Sequence, residues 1–178
     1  MIVSFYKIII HFILMRKMYV LFFLILSVQG IASQYCAFCD SRVLETQVFY
    51  EGELVLALCT HKPVLPGHCL IIPKRHVERF EELSSNEIVE IHQVIKKIDQ
   101  VVMEKFHTVS YLLLQKNGKE AGQTVPHVHF HYMPRKEGEH SALGFMVRML
   151  MANLKNPIAS VEMYEIVHDM HEAMQNNS

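Results

Sequence analysis

The sequence lacks a strong charge of either sign. Its 178 residues include 17 Lys and Arg against 18 Asp and Glu, which gives a formal net charge of −1 and an isoelectric point near 6.9. Basic residues cluster in short pairs such as Lys96-Lys97 and Arg135-Lys136. Because a nucleic-acid-binding protein needs a basic surface that neutralises phosphates, we expect no nucleic-acid partner and favour a small-molecule partner.

Cysteine is also scarce, with four residues in the chain. A chain of this length with 51% hydrophobic residues can bury a core of its own without disulfide support. The composition therefore predicts one compact domain with a distinct segment at each end. We divide the chain into an N-terminal segment (1–33), a central domain (34–136) and a helical tail (137–178).

Residues 1–33 are strongly hydrophobic, and their function is open between three interpretations. Starting from Met15, the basic pair Arg16-Lys17, an apolar run and the small residues Gly30 and Ala32 match the three regions of a secretory signal. The same run with its cationic flank fits a membrane anchor. The whole stretch also fits an extension that the cell does not translate. The first two interpretations predict export or a membrane contact through this segment alone, whereas the chemistry expected of the central domain suggests a cytoplasmic protein.

From residue 35 onward, strand-like and helix-like patterns alternate. Apolar runs bounded by turn residues predict strands at 53–59, 68–72, 109–114 and 124–133. The first two are expected to pair antiparallel, and the last two are expected to pair like a hairpin. Apolar residues at three- and four-residue spacing, preceded by a capping box of Ser84 and Glu87, predict a helix over 84–106. The tail is predicted to form packing or dimer-covering helices with a break near Pro157. The fold class is therefore α+β.

Histidine recurs at every second position between residues 126 and 132. In a β-strand, a period of two places His127, His129 and His131 on one face and their apolar neighbours on the other, so we expect an open imidazole face. A neutral imidazole is a competent nucleophile toward phosphorus, and a hydrogen bond to its second nitrogen can fix the tautomer. The glycine-bearing loop 116–122 is expected to fold over this face.

The run from His127 to Met133 resembles the signature of the histidine triad family, in which three histidines alternate with apolar residues. Segments 62–68 and 120–126 are similar to segments of the same family in the same order, so the resemblance extends from about 35 to 135. It implies a central antiparallel sheet of about five strands, one long helix, C-terminal helices and a homodimer. It also implies a nucleotide hydrolase or transferase that attacks an α-phosphate and forms a covalent nucleotidyl-histidine intermediate.

The same resemblance assigns roles to individual residues. It implies that His129 is the nucleophile, that His131 lies beside the phosphate and that Gln123 contributes to catalysis. The residues expected to bind the nucleotide are His68, Asn117, Gln123, Thr124, His129 and His131. General chemistry agrees in kind, because a Gln amide and the N–H groups of a glycine-bearing loop can stabilise phosphoryl charge.

Two positions depart from the family pattern. Lys116 stands where relatives often carry an amide ahead of the glycine loop, and the adjacent Asn117 could substitute for it. Thr60 stands near the position of an acidic or amide residue that contacts the ribose. The sequence therefore leaves the preferred nucleoside open.

Cys36 and Cys39 have the spacing of a zinc knuckle, but two thiolates need two further ligands to complete a tetrahedron. His76 and His127 are the candidates, because zinc-bearing members of the histidine triad family resemble this chain in pairing such cysteines with these two histidines. A structural zinc would connect the N-terminal part of the domain to the histidine run. A disulfide or redox pair of the two cysteines, and plain packing, stay open as alternatives.

Three functional hypotheses follow. The first is an enzyme of the histidine triad family acting on a dinucleoside polyphosphate, a nucleoside phosphoramidate or a nucleotidyl sugar, all of which present an α-phosphate. The second is a nucleotide-binding module in which zinc and histidines are structural, and the third is a redox or metal-handling protein. The cysteines favour the zinc-bearing bacterial type, whereas segments 62–68 and 120–135 favour the fragile histidine triad branch.

Overall fold

The computed structural model describes residues 15–16, 35–139 and 141–177. The chain divides into two units, Met1–Tyr35 and Cys36–Ser178, and the fold given below is that of the second unit. The signal and anchor interpretations of 1–33 lie outside the described residues, apart from Met15 and Arg16. Within the described part of the chain, none of the helices combines the length and the apolar character needed to cross a membrane.

A five-stranded antiparallel sheet forms the centre of this unit. The elements are α1 (Ser41–Gln47), β1 (Val48–Glu51), β2 (Val55–Cys59), β3 (Cys69–Pro73), α2 (Ser85–Phe106), β4 (Ser110–Gln115), β5 (Phe130–Arg135), α3 (Ala142–Leu154) and α4 (Ser160–Asn176). The strand order in the sheet is β1-β2-β3-β5-β4. These elements confirm the predicted α+β class with a central sheet, one long helix and C-terminal helices. The sequence does not predict α1 and β1, because such short elements carry too little periodicity.

Both strand pairs expected from the sequence are present. Strands β2 and β3 pair antiparallel, with Cys59 opposite Cys69 at one end. Strands β4 and β5 also pair antiparallel, with Leu114 opposite His131. The connection between β4 and β5 contains the glycine-bearing loop, so this loop lies at the end of the sheet where the histidine run begins.

The long helix α2 begins at the predicted capping box. The Ser84 hydroxyl accepts a hydrogen bond from the Glu87 N–H at 3.3 Å, and the Glu87 carboxylate accepts one from the Ser84 N–H at 2.7 Å. A cap of this kind stabilises a helix by about 1 kcal/mol. The apolar stripe buried against the sheet consists of Ile91, Val94, Ile95, Ile98, Val101 and Val102. Helix α2 therefore covers one face of the sheet.

The two faces of the sheet carry different layers. Every residue of β2 and β3 is buried, as is typical of strands covered on both sides. Alternate residues of these strands pack with α2 and α4, while the intervening ones, such as Leu58 and Leu70, pack with Phe38 on the other face. Because Leu70 lies opposite His131 in the ladder, the second face is the one that carries this histidine.

The tail is helical with a break, as predicted, but its two helices differ in burial. Helix α4 inserts Met163, Met170 and Met174 into the core beside α2, which confirms the packing interpretation for this helix. Helix α3 leaves most of its apolar side chains exposed, and Leu143 and Leu154 are each 72% exposed. Helix α4 therefore completes the core, whereas α3 adds little to it.

The histidine run differs most from its prediction. The strand expected over 124–133 begins at Phe130, so His127 and His129 precede it. The proline ahead of them has no N–H for a ladder, and the N–H of Val128 bonds a carbonyl outside the sheet. The expectation of an open imidazole face is also wrong, because His127 and His129 are 0% and 4% exposed.

Candidate active site and metal centre

The ring of His129 is oriented by a backbone carbonyl two residues earlier. Its Nδ1 lies 2.7 Å from the carbonyl oxygen of His127. A carbonyl oxygen can only accept a hydrogen bond, so Nδ1 carries the proton. In the neutral ring the lone pair is then on Nε2. The predicted nucleophile therefore has its nucleophilic nitrogen at Nε2.

A second chain of hydrogen bonds orients His131 through His68. The Val64 N–H donates to Nδ1 of His68 at 3.1 Å, so the proton of neutral His68 is on Nε2. This Nε2 lies 3.1 Å from Nδ1 of His131 and donates to it, which leaves the proton of neutral His131 on its own Nε2. The ring centroids of His129 and His131 are 5.0 Å apart. We call His68, His129 and His131 the histidine row.

Burial keeps the histidine row neutral. It lowers the pKa of His68 to about 4 and the pKa of His131 to about 3, and it also lowers the pKa of His129. The neighbouring His129 and His68 contribute to the lowered pKa of His131, and the ammonium of Lys116 contributes a smaller part at both His129 and His131. The rings are therefore uncharged near neutral pH, which is the state that an attack on phosphorus requires.

Four further side chains converge next to the histidine row. The ligand atoms of Cys36, Cys39, His76 and His127 all lie within 4.8 Å of one another. Nδ1 of His127 is 3.4 Å from the Cys36 sulfur and 3.6 Å from the Cys39 sulfur, and Nδ1 of His76 is 3.4 Å from the latter. In a tetrahedral zinc site, sulfur and nitrogen ligands are about 3.6 Å apart. These four residues, here called the metal cluster, therefore fit one zinc ion.

His127 is held in the orientation that a metal ligand needs. Its Nε2 donates to the Pro73 carbonyl oxygen at 2.9 Å, so the lone pair is on Nδ1, the nitrogen that lies near both sulfurs. A hydrogen bond from the distal nitrogen is the usual support of a metal-bound imidazole. Burial, as the largest effect, lowers the pKa of His127 to about 4, so the ring is neutral and able to coordinate.

The sulfur ligands also favour a soft dication. The four cysteines are free thiols. Burial, together with the neighbouring Cys36, raises the pKa of Cys39 to about 11. A bound dication reverses this effect, because thiolates neutralise its charge. Two thiolates with two imidazoles are a typical zinc ligand set, whereas calcium and magnesium prefer oxygen ligands.

Phe38 connects the metal cluster with the histidine row, and the sequence did not single it out. Its ring lies edge-on to His127 and His129, with centroids 5.8 and 5.3 Å away. The side chain is buried on the same face of the sheet. The sequence could have indicated this role, because Phe38 lies between the two cysteines and residues inside such a motif are held next to its ligands.

The model of the HIT domain family matches residues 41–138, which is more than half of the chain. The chain belongs to the HIT domain family. This match confirms the resemblance to the histidine triad family that three sequence segments indicated. The matched range contains the whole sheet, helix α2 and the histidine row of the HIT domain.

Relatives and solved structures agree with this assignment. A bis(5'-nucleosyl)-tetraphosphatase (asymmetrical) of Schizosaccharomyces pombe is 41% identical over 96 residues, 54% of this chain and 53% of that protein. An uncharacterised HIT-like protein of Methanocaldococcus jannaschii is 38% identical over 112 residues, 62% of this chain and 86% of that protein. The crystal structure of a hypothetical histidine triad nucleotide-binding protein from Sulfolobus tokodaii has a TM-score of 0.63 at 29% identity, covering 79% of this chain and 93% of that one. The chain thus spans about half the length of the S. pombe relative.

Gln123 of the HIT domain is engaged with backbone groups on both sides. Its Oε1 accepts from the Gly118 N–H at 2.6 Å, and its Nε2 donates to the carbonyls of Glu78 and His127 at 3.0 and 3.3 Å. It thereby connects the glycine-bearing loop to the carbonyl that orients His129. Its contact with phosphate stays a prediction, because both amide hydrogens are already used in these structural hydrogen bonds.

The other predicted nucleotide ligands are placed differently from His68, which lies in the histidine row. Asn117 accepts from the Phe80 N–H at 2.9 Å and donates to Glu81 at 2.8 Å, so it connects two loops of the HIT domain. Thr124 is exposed next to Gln123. The contacts of Asn117 and Thr124 with a nucleotide stay predictions.

Proposed function

We propose that this protein is a nucleotide hydrolase or transferase that acts at an α-phosphate through a nucleotidyl-histidine intermediate. One observation carries the proposal, namely the complementary protonation of two adjacent rings. His129 has its lone pair on Nε2, and His131 has its proton on Nε2. A nucleophile beside a hydrogen-bond donor is what covalent phosphoryl transfer requires.

In the first step, Nε2 of His129 attacks the α-phosphorus. A P–N bond forms, and the bond between phosphorus and the leaving group breaks with its electron pair going to the leaving atom. The Nε2–H of His131 stabilises the negative charge that develops there. In the second step, water attacks phosphorus, the P–N electron pair returns to His129, and one proton of the water passes to solvent. A different acceptor would give transfer instead of hydrolysis.

The proposed substrate is a dinucleoside polyphosphate, with a nucleoside phosphoramidate as the second class. The name of the S. pombe relative, together with its 41% identity, supports the first class. The face of the sheet that carries His131 also offers an apolar surface for a nucleobase. This surface includes the partly buried side chains of Leu44, Val48 and Val125, which pack beside the cluster around Phe38.

The proposed cofactor is one zinc ion held by Cys36, Cys39, His76 and His127. Four protein ligands complete a tetrahedron, so zinc would be structural and would not take part in the phosphoryl transfer. When bound, it would supply a rigid link between the segment ahead of α1 and the residue whose carbonyl orients His129. The geometry of the four ligand atoms supports this proposal.

We propose that the homodimer implied by the resemblance forms through strand β4. This strand ends the sheet, and its side chains Tyr111, Leu112 and Leu113 are each about 40% exposed. An exposed apolar edge strand is a template for pairing with a strand of another chain. Light scattering after gel filtration is expected to give a dimer mass, and Leu112→Lys is expected to give a monomer. A monomer mass for the unaltered protein would contradict the proposal.

The enzymatic proposal is tested by incubating the protein with diadenosine polyphosphates and with adenosine phosphoramidate, followed by measurement of its intact mass. An increase of one AMP is expected, and His129→Ala should abolish it. His92→Ala, which changes an exposed histidine of α2, is the control and should retain the adduct. If neither substrate gives an adduct or free AMP, the nucleotide-binding module is the better interpretation.

The proposal for residues 1–33 is that they direct export or attach the protein to a membrane. The hydrophobic composition of this segment supports it. Mass spectrometry of the N-terminus of the native protein tests it. Cleavage near Ala32 would support export, a segment retained from Met1 or from Met15 would support an anchor, and initiation further along the chain, so that the segment is not made, would contradict both.

A further inference from the structure

Lys116 lies at the end of the β4–β5 ladder, next to the residues that precede β5. The β4–β5 ladder pairs Leu114 with His131 and Gln115 with Phe130. Lys116 directly follows this ladder on one strand, and His129 directly precedes it on the other. The Gln115 side chain donates to the Lys116 carbonyl at 2.9 Å, which fixes the backbone where the strand ends.

The side chain of Lys116 lies over the glycine-bearing loop. A Cβ built on Gly122 would meet the Lys116 Nζ at 3.6 Å and its Cδ at 3.8 Å. Gly122 has a φ of 81°, a conformation that other residues rarely adopt, so this space stays free of a side chain. The half-buried lysine stem thus rests on the loop that connects to Gln123.

Lys116 differs from the basic residues of the facing loop in its ion pairing. Among residues 35–139 and 141–177, no ion pair of Lys116 is found, whereas Arg79 of the facing loop pairs with Glu81 at 2.5 Å and Arg75 with Glu87 at 2.9 Å. The charge of Lys116 also contributes to the lowered pKa of His131, the ring next to the proposed nucleophile. An ammonium that is not ion-paired, next to uncharged rings, attracts anions.

We propose that Lys116 binds the phosphate chain of the leaving group and makes the site selective for nucleotides whose leaving group carries further phosphates. This inference rests on the proposed function. When the bond between the α-phosphorus and its bridging oxygen breaks, the departing nucleoside polyphosphate keeps the electron pair and gains negative charge. A phosphoramidate instead releases an amine that takes up a proton and leaves without that charge. The ammonium therefore stabilises the first departure much more than the second.

The test compares two substrates with four forms of the protein. Lys116→Gln keeps a hydrogen-bond donor but removes the charge, Lys116→Arg keeps the charge, and Lys119→Gln removes an exposed charge of the same loop as the control. For diadenosine tetraphosphate, Lys116→Gln is expected to lower kcat/KM by roughly 10- to 100-fold. For adenosine phosphoramidate, the loss should stay below about threefold. Lys116→Arg should recover most of the activity, and Lys119→Gln should change neither substrate.

Equal losses for both substrates would overturn the inference, because they would mean that Lys116 acts on the histidines or on the loop. No loss for either substrate would also overturn it. If the unaltered protein converts neither substrate, the proposed function fails. The role of Lys116 is then tested by measuring the binding of ATP and AMP. Lys116→Gln should then weaken binding of ATP by about tenfold but leave binding of AMP unchanged in calorimetry. Equal effects on ATP and AMP would contradict selectivity for the phosphate chain.

Discussion

The metal cluster and the histidine row share one five-residue run, yet opposite ring nitrogens are free in the two groups. The ring of His127 donates from Nε2 to the carbonyl of Pro73, so Nδ1 lies next to the cysteine sulfurs. The ring of His129 donates from Nδ1 to the carbonyl of His127, so Nε2 is available to attack phosphorus. Two identical side chains thus acquire different chemistry from the position of a single acceptor.

The largest effect on activity is expected from a variant that removes the nucleophile and leaves the metal cluster intact. His129→Asn is expected to lower turnover by about 10⁴-fold, since no other group replaces the attacking nitrogen. Bound zinc, measured by elemental analysis, and the thermal midpoint should change little, because His129 is not a metal ligand. Residual turnover within tenfold of the unaltered protein would show that the nucleophile lies elsewhere.

The converse experiment removes the metal cluster. Replacing Cys36 and Cys39 together by serine is expected to abolish bound zinc and to lower the free energy of unfolding by at least about 3 kcal/mol, because a structural zinc site stabilises the folded state. Cys59→Ala, which alters a buried cysteine outside the cluster, is the control and should retain zinc. Unchanged metal content in the double variant, measured by elemental analysis, would show that these thiols hold no zinc.

A third experiment tests the hydrogen bond that sets the tautomer of His131. His68→Asn can still accept from the Val64 N–H but is too short to donate to His131, and we expect kcat to fall by about tenfold. His68→Gln can reach with its Nε2 and should recover part of this loss. Steady-state kinetics and zinc content should be measured for both variants. Equal kcat values for the two variants would argue against a role for this hydrogen bond.

The smallest expected effect concerns an ion pair next to a metal ligand. Arg75, which precedes His76, donates to Glu87 at 3.2 and 2.9 Å, and this contact lowers the pKa of Glu87 to about 2. Because the folded-state pKa lies below the usual 4.5, the stabilisation is complete above about pH 4.5 and is lost as the pH falls toward 2.

Glu87→Gln should therefore lower the free energy of unfolding by about 1 kcal/mol at pH 7, a value reduced for the half-exposed guanidinium. The difference from the unaltered protein should shrink when urea unfolding is repeated at pH 3. Glu53→Gln, at an exposed position, is the control and should show no such pH dependence. A difference that is the same at pH 7 and pH 3 would exclude the ion pair as its cause.

Sequence patterns predicted those parts of the fold that depend on local physical chemistry. The capping box at Ser84 and the apolar spacing after it located α2, and the apolar runs located β2, β3 and β4. The histidine run was predicted as one continuous strand, because alternation is the usual signal of a half-buried strand. In the structure that strand begins only at Phe130, since the N–H of Val128 bonds outside the sheet.

In the candidate site, too, the sequence predicted some residues, and only the tertiary structure placed the others. The motif containing Cys36 and Cys39 and the assignment of His76 and His127 predicted four residues that the structure brings within 4.8 Å. The placement of Asn117 was not accessible in this way, because its amide bonds to a loop 36 and 37 residues away along the chain. Phe38 lies beside His129 because the fold packs it there, and Lys116 lies at the end of the ladder that joins β4 to β5.

The sequence by itself determined which ligands, nucleophiles and helix caps are available and in what order, because residue type and spacing are local properties. The tertiary structure decided which nitrogen of each histidine is free. That choice depends on acceptors and donors supplied from elsewhere in the fold, such as the Pro73 carbonyl, which is 54 residues from His127. The tertiary structure likewise decided that the imidazoles are buried and neutral, since burial results from the packing of both faces of the sheet.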